Sequence, residues 1–563
     1  MAEDINALIE KHALANAFSH GGKAQPGSII GKLIADNPKY REQMKELAPK
    51  IAKLVFEVNK LTIKQQEEKL LKIFPEFFEK KVHEEKKDLP ELPGAKMGKV
   101  VTRFAPYPSG ALHIGNLKPA LISYMYAKKY DGKFIIRIED TNPEKMKPEY
   151  IKYIGEDLDA LGLKPDIPIY KVSDHFDYYI DLAKKLVKEA KAYVCTCSTV
   201  GQKKGRLASI KTECKCRKLP TKEHEARFAD MISGKYKEHA AILRLKTNIN
   251  DPNPALRDPT LYKISDIPHA VTGKKYHVYP MYNFQCAIED HDYDITHVFR
   301  AVEHTANTEI QKKIFDAFGW KNFPNVVNFG FLYLIGTNIH KRYIREGFDK
   351  GIYKSWDDIV LGEQCGIVRA LLRRGIQRHT FEHLVIELGV SPNVARISWD
   401  MIYSINRKLI DPIAHRYSFV AEPVELNIKN APNVKEIEVK LHPDSDKEFK
   451  KIKVNNSVYV WGKDFNRFKG QEVRLMHLYN IKLNPKAEFT SKENKQIPRI
   501  QWVPTDFAVK TEVLMPTGDV EKGFAEKNVE NLKVGDIIQF ERFGFVKLEK
   551  KGKDKFIFCY THG

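Results

Sequence analysis

Cysteine is scarce in this chain: seven residues in 563, alongside five tryptophans. So few thiols cannot staple a protein of this length. A disulfide scaffold is excluded, and a reducing compartment, the cytoplasm, is the expected location. Apolar runs of about 18 residues, the length needed to cross a bilayer as a helix, are also missing, so no membrane partner is expected. The first residues, Met1-Ala-Glu-Asp-Ile-Asn6, lack the basic stretch and apolar core of a secretory leader. Acidic residues are the scarcer charge: 73 Asp and Glu stand against 93 Lys and Arg, a net charge of +20. That excess suits a polyanionic partner, although a lysine-rich surface laced with ion pairs gives the same number. What is abundant is ordinary globular material, 42% hydrophobic and 11% aromatic, which leaves no reason to invoke disorder. A chain this long exceeds one hydrophobic core, so three or more domains are expected.

The most informative stretch is Arg103-Phe-Ala-Pro-Tyr-Pro-Ser-Gly-Ala-Leu-His-Ile-Gly-Asn116. A short apolar strand, Val100–Phe104, leads into it and a helical run, Leu117–Lys129, leaves it. A helix mouth with unpaired N–H groups, opened by His113 and Asn116, suits phosphate. Gly110 and Gly115 would let a base or phosphate approach the backbone. Residues 133–138 form a near-continuous apolar strand, as parallel sheets require, and end in Glu139-Asp140 where α/β sheets bind ligands.

Around this stretch the periodicity divides the chain. Residues 1–95 read as helical. Residues 96–194 and 271–335 read as two halves of a doubly wound, Rossmann-type α/β domain, interrupted by an insertion over 195–270. Residues 336–416 carry a polar basic loop and then helical spacing. Residues 417–563 switch to period two, in short strands that suggest β-barrels. Trp461, Lys463, Phe465, Arg467, Phe468 and Lys469 interleave rings with cations there, a pattern suited to splayed RNA bases or simply to a β core with surface charge. In the insertion, Cys195 and Cys197 face Cys214 and Cys216 across sixteen residues. Two close pairs suit a tetrahedral, structural zinc with no open position; unliganded thiols or two disulfides are the other readings. The basic residues Lys203, Lys204, Arg206, Lys211, Lys215, Arg217 and Lys218 around them could follow phosphates.

Taken together, these features resemble the class I aminoacyl-tRNA synthetases, and among them the archaeal-type glutamyl-tRNA synthetases, over nearly the whole chain. His113-Ile-Gly-Asn116 resembles the HIGH signature with its last residue replaced. Ile339-His-Lys-Arg342 resembles the KMSKS-equivalent loop. Arg137-Ile-Glu-Asp-Thr-Asn-Pro143, Asn253-Pro-Ala-Leu-Arg-Asp258 and Ser355-Trp-Asp-Asp358 match flanking family segments. The resemblance implies ATP with Mg2+, L-glutamate and tRNA(Glu), with tRNA(Gln) as a second acceptor left open, and a monomer. It implies an acceptor-stem role for 195–270, a stem-contact role for 336–416 and anticodon binding by 417–563.

It further implies His113, Asn116 and Lys341 as catalytic, and His113, Gly115, Asn116, His340, Lys341 and Arg342 as the ATP site. Arg103, Ala105, Ser109, Glu139, Tyr282 and Arg300 would hold glutamate, with Glu139 on its ammonium. Cys286 would lie beside them. Glutamyl enzymes carry Arg where Arg300 stands. A guanidinium pairs bidentately with a carboxylate and loses that pairing with a neutral amide, so Arg300 selects against glutamine; a salt bridge to Glu303 is its structural alternative. Asn116, His340 and Tyr343 depart from the usual signatures. They keep in view a catalytically weakened tRNA-binding paralogue, as well as a glutaminyl-tRNA synthetase.

Overall fold

The computed structural model describes residues 5–19, 22–74, 88–197, 211–336, 344, 346–348, 350–351, 366–553 and 555–563. It divides into two compact units, 1–86 and 87–563.

In the first unit, the helices Ile5–Ser19, Pro26–Asp36, Met44–Lys60 and Ile63–Ile73 share one core. Leu47, Ile51, Val55 and Val58 recur at helical spacing and form the buried stripe of the third helix. Thr62 and Gln65 close a capping box at the start of the fourth. The buried Gln66 amide donates to Gly22 O and Val58 O, both at 3.0 Å, and so ties the turn after the first helix to the last turn of the third.

The second unit is built on a parallel sheet of β1 (Val101–Phe104), β2 (Lys133–Ile138), β3 (Tyr170–Lys171), β8 (His297–Ala301) and β9 (Asn325–Phe329), in the order β3-β2-β1-β8-β9. Between β3 and β8 the chain makes an antiparallel sheet of β4 (Ala192–Cys195), β5 (Ile242–Leu245), β6 (Thr260–Ile264) and β7 (Val278–Pro280). The chain first steps outward from β1 to β3, then resumes on the other side of β1 with β8. The strand order therefore reverses between β1 and β8, and in an open α/β sheet a ligand crevice forms at such a point, beyond the carboxyl ends of the strands. The helix Ile114–Lys129 packs on this sheet through Leu117, Leu121 and Tyr126, the last stacked on Phe299 at 5.0 Å.

The expectation of purely helical structure from 353 to 417 needs correction. Helices Val368–Arg374, Arg378–Leu388 and Trp399–Ile410 are present, but β11 (Ala395–Ile397) lies among them and pairs in parallel with β10 (Leu332–Leu334). Alternation at Ala395, Arg396 and Ile397, with β10 available as a partner, overrides helical spacing there.

The C-terminal region holds two seven-stranded sheets. In one, Arg416–Tyr417 and Phe419–Ala421 occupy the two ends of the strand order. They are one strand interrupted at Ser418, so the sheet closes on itself. Arg499–Ile500 and Trp502–Pro504 close the other sheet in the same way around Gln501. Closure removes the exposed edges. The first barrel takes its strands from 416–421 and 508–562, and the second, 423–504, is threaded between them. In the ring-and-cation stretch at 461–469, Trp461 ends a strand, Ser457–Trp461, and a short helix, Gly462–Phe468, follows. Phe465 and Phe468 pack on the core of the second barrel and Trp461 on that of the first. Each ring is half-buried and packs on a core through part of its surface.

Candidate active site

Three adjacent strands deliver the charged groups of the crevice. Arg103 lies near the end of β1, Glu139 follows β2, and Arg300 lies near the end of β8. Glu139 N–H donates to Pro106 O at 3.0 Å, which draws the 105–112 turn, with half-buried Ala105 and Ser109, toward β2. The helix Tyr282–Asp292 covers the strands, and Tyr282, Cys286 and Asp290, four residues apart, lie on one of its faces.

Arg103 and Arg137 converge on this helix. Arg103 donates from Nε and Nη2 to the two Asp290 oxygens at 3.1 and 3.2 Å. Arg137 donates from Nη1 to Asp290 at 2.8 Å, from Nε to Glu139 at 2.8 Å, and from Nη2 to Cys286 Sγ at 3.0 Å. Burial opposes ionisation of Asp290, but Arg103 and Arg137 outweigh it and hold that carboxylate well below the usual range. Burial wins at Glu139 and raises its pKa against the pull of Arg137 and Arg103. Burial likewise raises the Cys286 thiol and the Tyr282 hydroxyl.

Arg300 is different. Its Nη1 donates only to neutral oxygens, Thr308 Oγ1 at 3.2 Å and Gln311 Oε1 at 3.0 Å. Gln311 is held in turn by Asn283 at 3.1 Å. Nε and Nη2 of Arg300 are buried and without a hydrogen-bond partner. Among the described residues no carboxylate pairs with it, so the salt bridge to Glu303 is not formed. Two adjacent guanidinium donors left open in a buried site are the complement of a carboxylate. Arg103 and Arg137 pair with Asp290 and Glu139, whereas no carboxylate among the described residues is hydrogen-bonded to Arg300. The side-chain carboxylate of an acidic amino acid would supply that partner.

Beside the crevice, the phosphate corner is more self-contained than its sequence suggests. The helix starts at Ile114, and His113 is its cap. Gly115 N–H donates to His113 Nδ1 at 3.1 Å, and His113 N–H donates to Asn116 Oδ1 at 3.2 Å. Ile114 N–H goes to Gly366 O at 2.8 Å and Asn116 N–H to His113 O at 2.7 Å. The first-turn N–H groups are thus paired within the protein, which corrects the expectation of open backbone donors. With Nδ1 accepting, the neutral imidazole carries its proton on Nε2, which is then a donor. Gly110, at φ 132°, is the one residue of the turn whose backbone requires glycine.

Asp157 is a residue the sequence reading missed. It is 1% exposed; Oδ2 accepts from Leu112 N–H at 2.8 Å and Oδ1 from Arg369 Nε at 2.9 Å. Val368 N–H donates to Leu112 O at 3.0 Å. The signature turn is therefore bolted to the helices Pro148–Ala160 and Val368–Arg374. Asp140, expected as a ligand-facing carboxylate, is instead fully buried and accepts from Ser173 N–H and Oγ at 2.8 and 2.6 Å.

In the insertion, Cys195, Cys197, Cys214 and Cys216 bring their sulfurs within 4.8 Å of one another. The Cys195–Cys214 and Cys197–Cys216 separations are both 3.7 Å. Disulfide sulfurs lie about 2.05 Å apart, so the disulfide alternative is excluded. Zinc–sulfur bonds of about 2.3 Å at the tetrahedral angle place sulfurs about 3.8 Å apart, so this cage fits that ion. Thr196 N–H and Arg227 Nη1 donate to Cys216 Sγ at 3.4 and 3.6 Å, as suits a thiolate. Arg217 does not face outward: it donates to Asp258 at 2.9 Å and Glu213 at 2.7 Å, which removes it from the phosphate-following set. Lys203, Lys204 and Arg206, together with His340, Lys341, Arg342 and Tyr343, lie outside the described residues.

Comparison with known proteins agrees with this geometry. Residues 99–412 match the model for the catalytic domain of class I tRNA synthetases (E and Q). Residues 414–503 and 499–549 match two models for anti-codon binding domains of the same class. Among curated relatives, a "Glutamate--tRNA ligase" of Pyrococcus furiosus is 43% identical over 582 residues, covering 99% of this chain and 100% of the relative. Its counterpart in Pyrococcus abyssi is 43% identical over 581 residues, with 99% and 100% covered. That of Thermococcus kodakarensis is 41% identical, with 100% of both covered. A catalytic-domain match over most of the Rossmann core, continued through both barrels and sustained over full-length relatives, leads to one conclusion: the chain belongs to the class I tRNA synthetases of the E and Q type.

Proposed function

We propose that the chain is a glutamate--tRNA ligase of the archaeal type, joining L-glutamate to the 3′ end of tRNA(Glu) through a glutamyl-adenylate at the expense of ATP with Mg2+. Arg300 carries the choice of amino acid. Its two open, buried donors fit the side-chain carboxylate of glutamate; the amide of glutamine would leave the guanidinium without a counter-charge. The full-length relatives bear the same amino acid in their names, and the glutaminyl alternative is not favoured.

The substrate's α-carboxylate attacks the α-phosphorus of ATP and pyrophosphate leaves. No protein nucleophile takes part, so the work of the site is orientation and charge placement. In this reading Arg103, Ala105, Ser109, Glu139 and Tyr282 line the amino-acid site with Arg300, and Glu139 accepts from the ammonium. The Nε2–H of His113 donates to the triphosphate, Asn116 holds the turn that presents it, and Gly115 lies under adenine. His340, Lys341 and Arg342 meet the phosphates, with Lys341 on the charge that develops as pyrophosphate departs. The capping role of Asn116 explains how a shorter, uncharged residue stands at the end of the signature. Cys195, Cys197, Cys214 and Cys216 would hold one structural zinc that braces the insertion. We take the enzyme to be a cytoplasmic monomer with tRNA(Glu) as its acceptor and tRNA(Gln) as a second acceptor left open.

Aminoacylation of tRNA(Glu) and tRNA(Gln) with glutamate and with glutamine, run in parallel, tests this reading. Glutamate transfer to tRNA(Glu) is the expected result. Transfer of glutamine would make it the glutaminyl enzyme. Absence of both transfer and pyrophosphate exchange would leave the weakened paralogue.

A further inference from the structure

Gln285 has no part in the reading above. It lies on the helix Tyr282–Asp292, between Tyr282 and Cys286 in sequence, and is wholly buried at 0% exposure. Its Nε2 donates to Glu139 Oε2, and its Oε1 is buried without a hydrogen-bond partner. The amide cannot simply be turned over, because its carbonyl would then oppose the Glu139 carboxylate, acceptor against acceptor. The orphan atom is therefore an acceptor, and buried acceptors are rarely left without a donor.

The surrounding groups do not supply one. Arg137 and Arg103 direct their donors to Asp290, Glu139 and Cys286, and Arg300 keeps Nε and Nη2 open. The cluster thus contains an orphan acceptor beside a carboxylate and an orphan donor pair on Arg300. A ligand that satisfies both carries an ammonium and a carboxylate. An ammonium has three donors, more than one carboxylate oxygen can take.

We propose that Gln285 is a substrate-binding residue, its carbonyl oxygen accepting from the α-ammonium while its amide nitrogen holds Glu139 for the same group. This rests on reading the crevice as the glutamate site. The test compares glutamate with glutarate, which keeps both carboxylates and lacks the ammonium, each titrated calorimetrically into the full-length enzyme. In Gln285→Met, glutamate binding weakens about ten-fold or more, as for loss of a hydrogen bond to a charged group, while glutarate binding stays within about two-fold. In Gln285→Leu, which likewise removes the carbonyl, the preference for glutamate over glutarate falls in the same way. A glutamate-to-glutarate ratio unmoved in a folded variant overturns the proposal. If Gln285→Met does not fold, Gln285→Leu decides, and an unchanged or raised ratio there overturns it. The underlying reading fails separately: Arg300→Gln should weaken both ligands, and unimpaired binding of both would refute the glutamate site without reference to the ratio.

Discussion

Arg300 is buried, and no carboxylate of the described protein is hydrogen-bonded to it. Its immediate anchors, Thr308 and Gln311, are neutral, which fixes the guanidinium without neutralising it. Replacing it by glutamine removes the bidentate partner and leaves an amide that suits an amide. Arg300→Gln should lower kcat/KM for glutamate by about a hundred-fold or more, the scale of a lost buried charge-assisted pair. It should also erase the discrimination against glutamine; pyrophosphate exchange with each amino acid in the presence of tRNA reads both. Undiminished exchange with glutamate would sink the assignment. Arg300 was legible in the sequence through the family resemblance, since glutamyl enzymes carry an arginine where it stands. Gln311 and Asn283, which aim it, were not legible, because their spacing from Arg300 says nothing until the helix Thr305–Phe318 is laid beside β8. The face shared by Tyr282, Cys286 and Asp290 carried a readable signal, a repeat of four, that could have named Asp290.

At the scale of elements, the signature turn depends on a residue 45 positions away. Asp157 joins the helix Pro148–Ala160 to Leu112 N–H and to Arg369, and its pKa is raised to about 6, chiefly by burial, from an ordinary 3.8. Between these values the folded chain keeps a proton that the unfolded chain has lost. The stability Asp157 contributes is therefore fully present below about pH 4 and is lost as pH rises through about 6. Asp157→Asn should flatten the stability-versus-pH curve in that window, measured by denaturant unfolding from pH 4 to 7. The same variant should raise KM for ATP more than KM for glutamate, because the turn it holds is on the phosphate side. A curve as steep as the parent's would mean that another group sets the slope. The cysteine cage was readable from spacing alone, since two Cys-x-Cys pairs can meet only if the chain between them loops out. Its binding can be tested by titrating the thiols with an organomercurial while a zinc-sensitive dye reports release. One zinc per chain is expected, with a lower melting temperature after removal; release of none would leave four free thiols. The inward turn of Arg217 shows what spacing could not tell: a basic run announces charge but not which members are claimed by Asp258 and Glu213.

For the whole molecule, the parallel sheet and the change to period two were visible as patterns of burial, whereas the closure of each barrel was not. Closure depends on one strand serving both ends of a sheet, at Ser418 and at Gln501, and that is a property of pairing rather than of any local run. Interleaved rings and cations at 461–469 suit an RNA platform, and these half-buried rings also pack on the barrel cores, a use that spacing alone does not reveal. The net charge of +20 makes a prediction at this scale. If lysines and arginines meet tRNA phosphates, each contact releases condensed counterions, and log KM for tRNA should climb linearly with log salt. At the proposed site glutamate would meet the buried cluster around Arg300 and Asp290, which salt screens weakly. Its KM should therefore change little over the same range. Aminoacylation assayed from 50 to 300 mM potassium chloride (about a six-fold span of the screening regime), with each substrate varied in turn, separates the two. A flat dependence for tRNA would assign the excess charge to intramolecular surface networks of the kind Lys129 forms with Asp88 and Glu91, and would leave shape rather than charge to hold the tRNA.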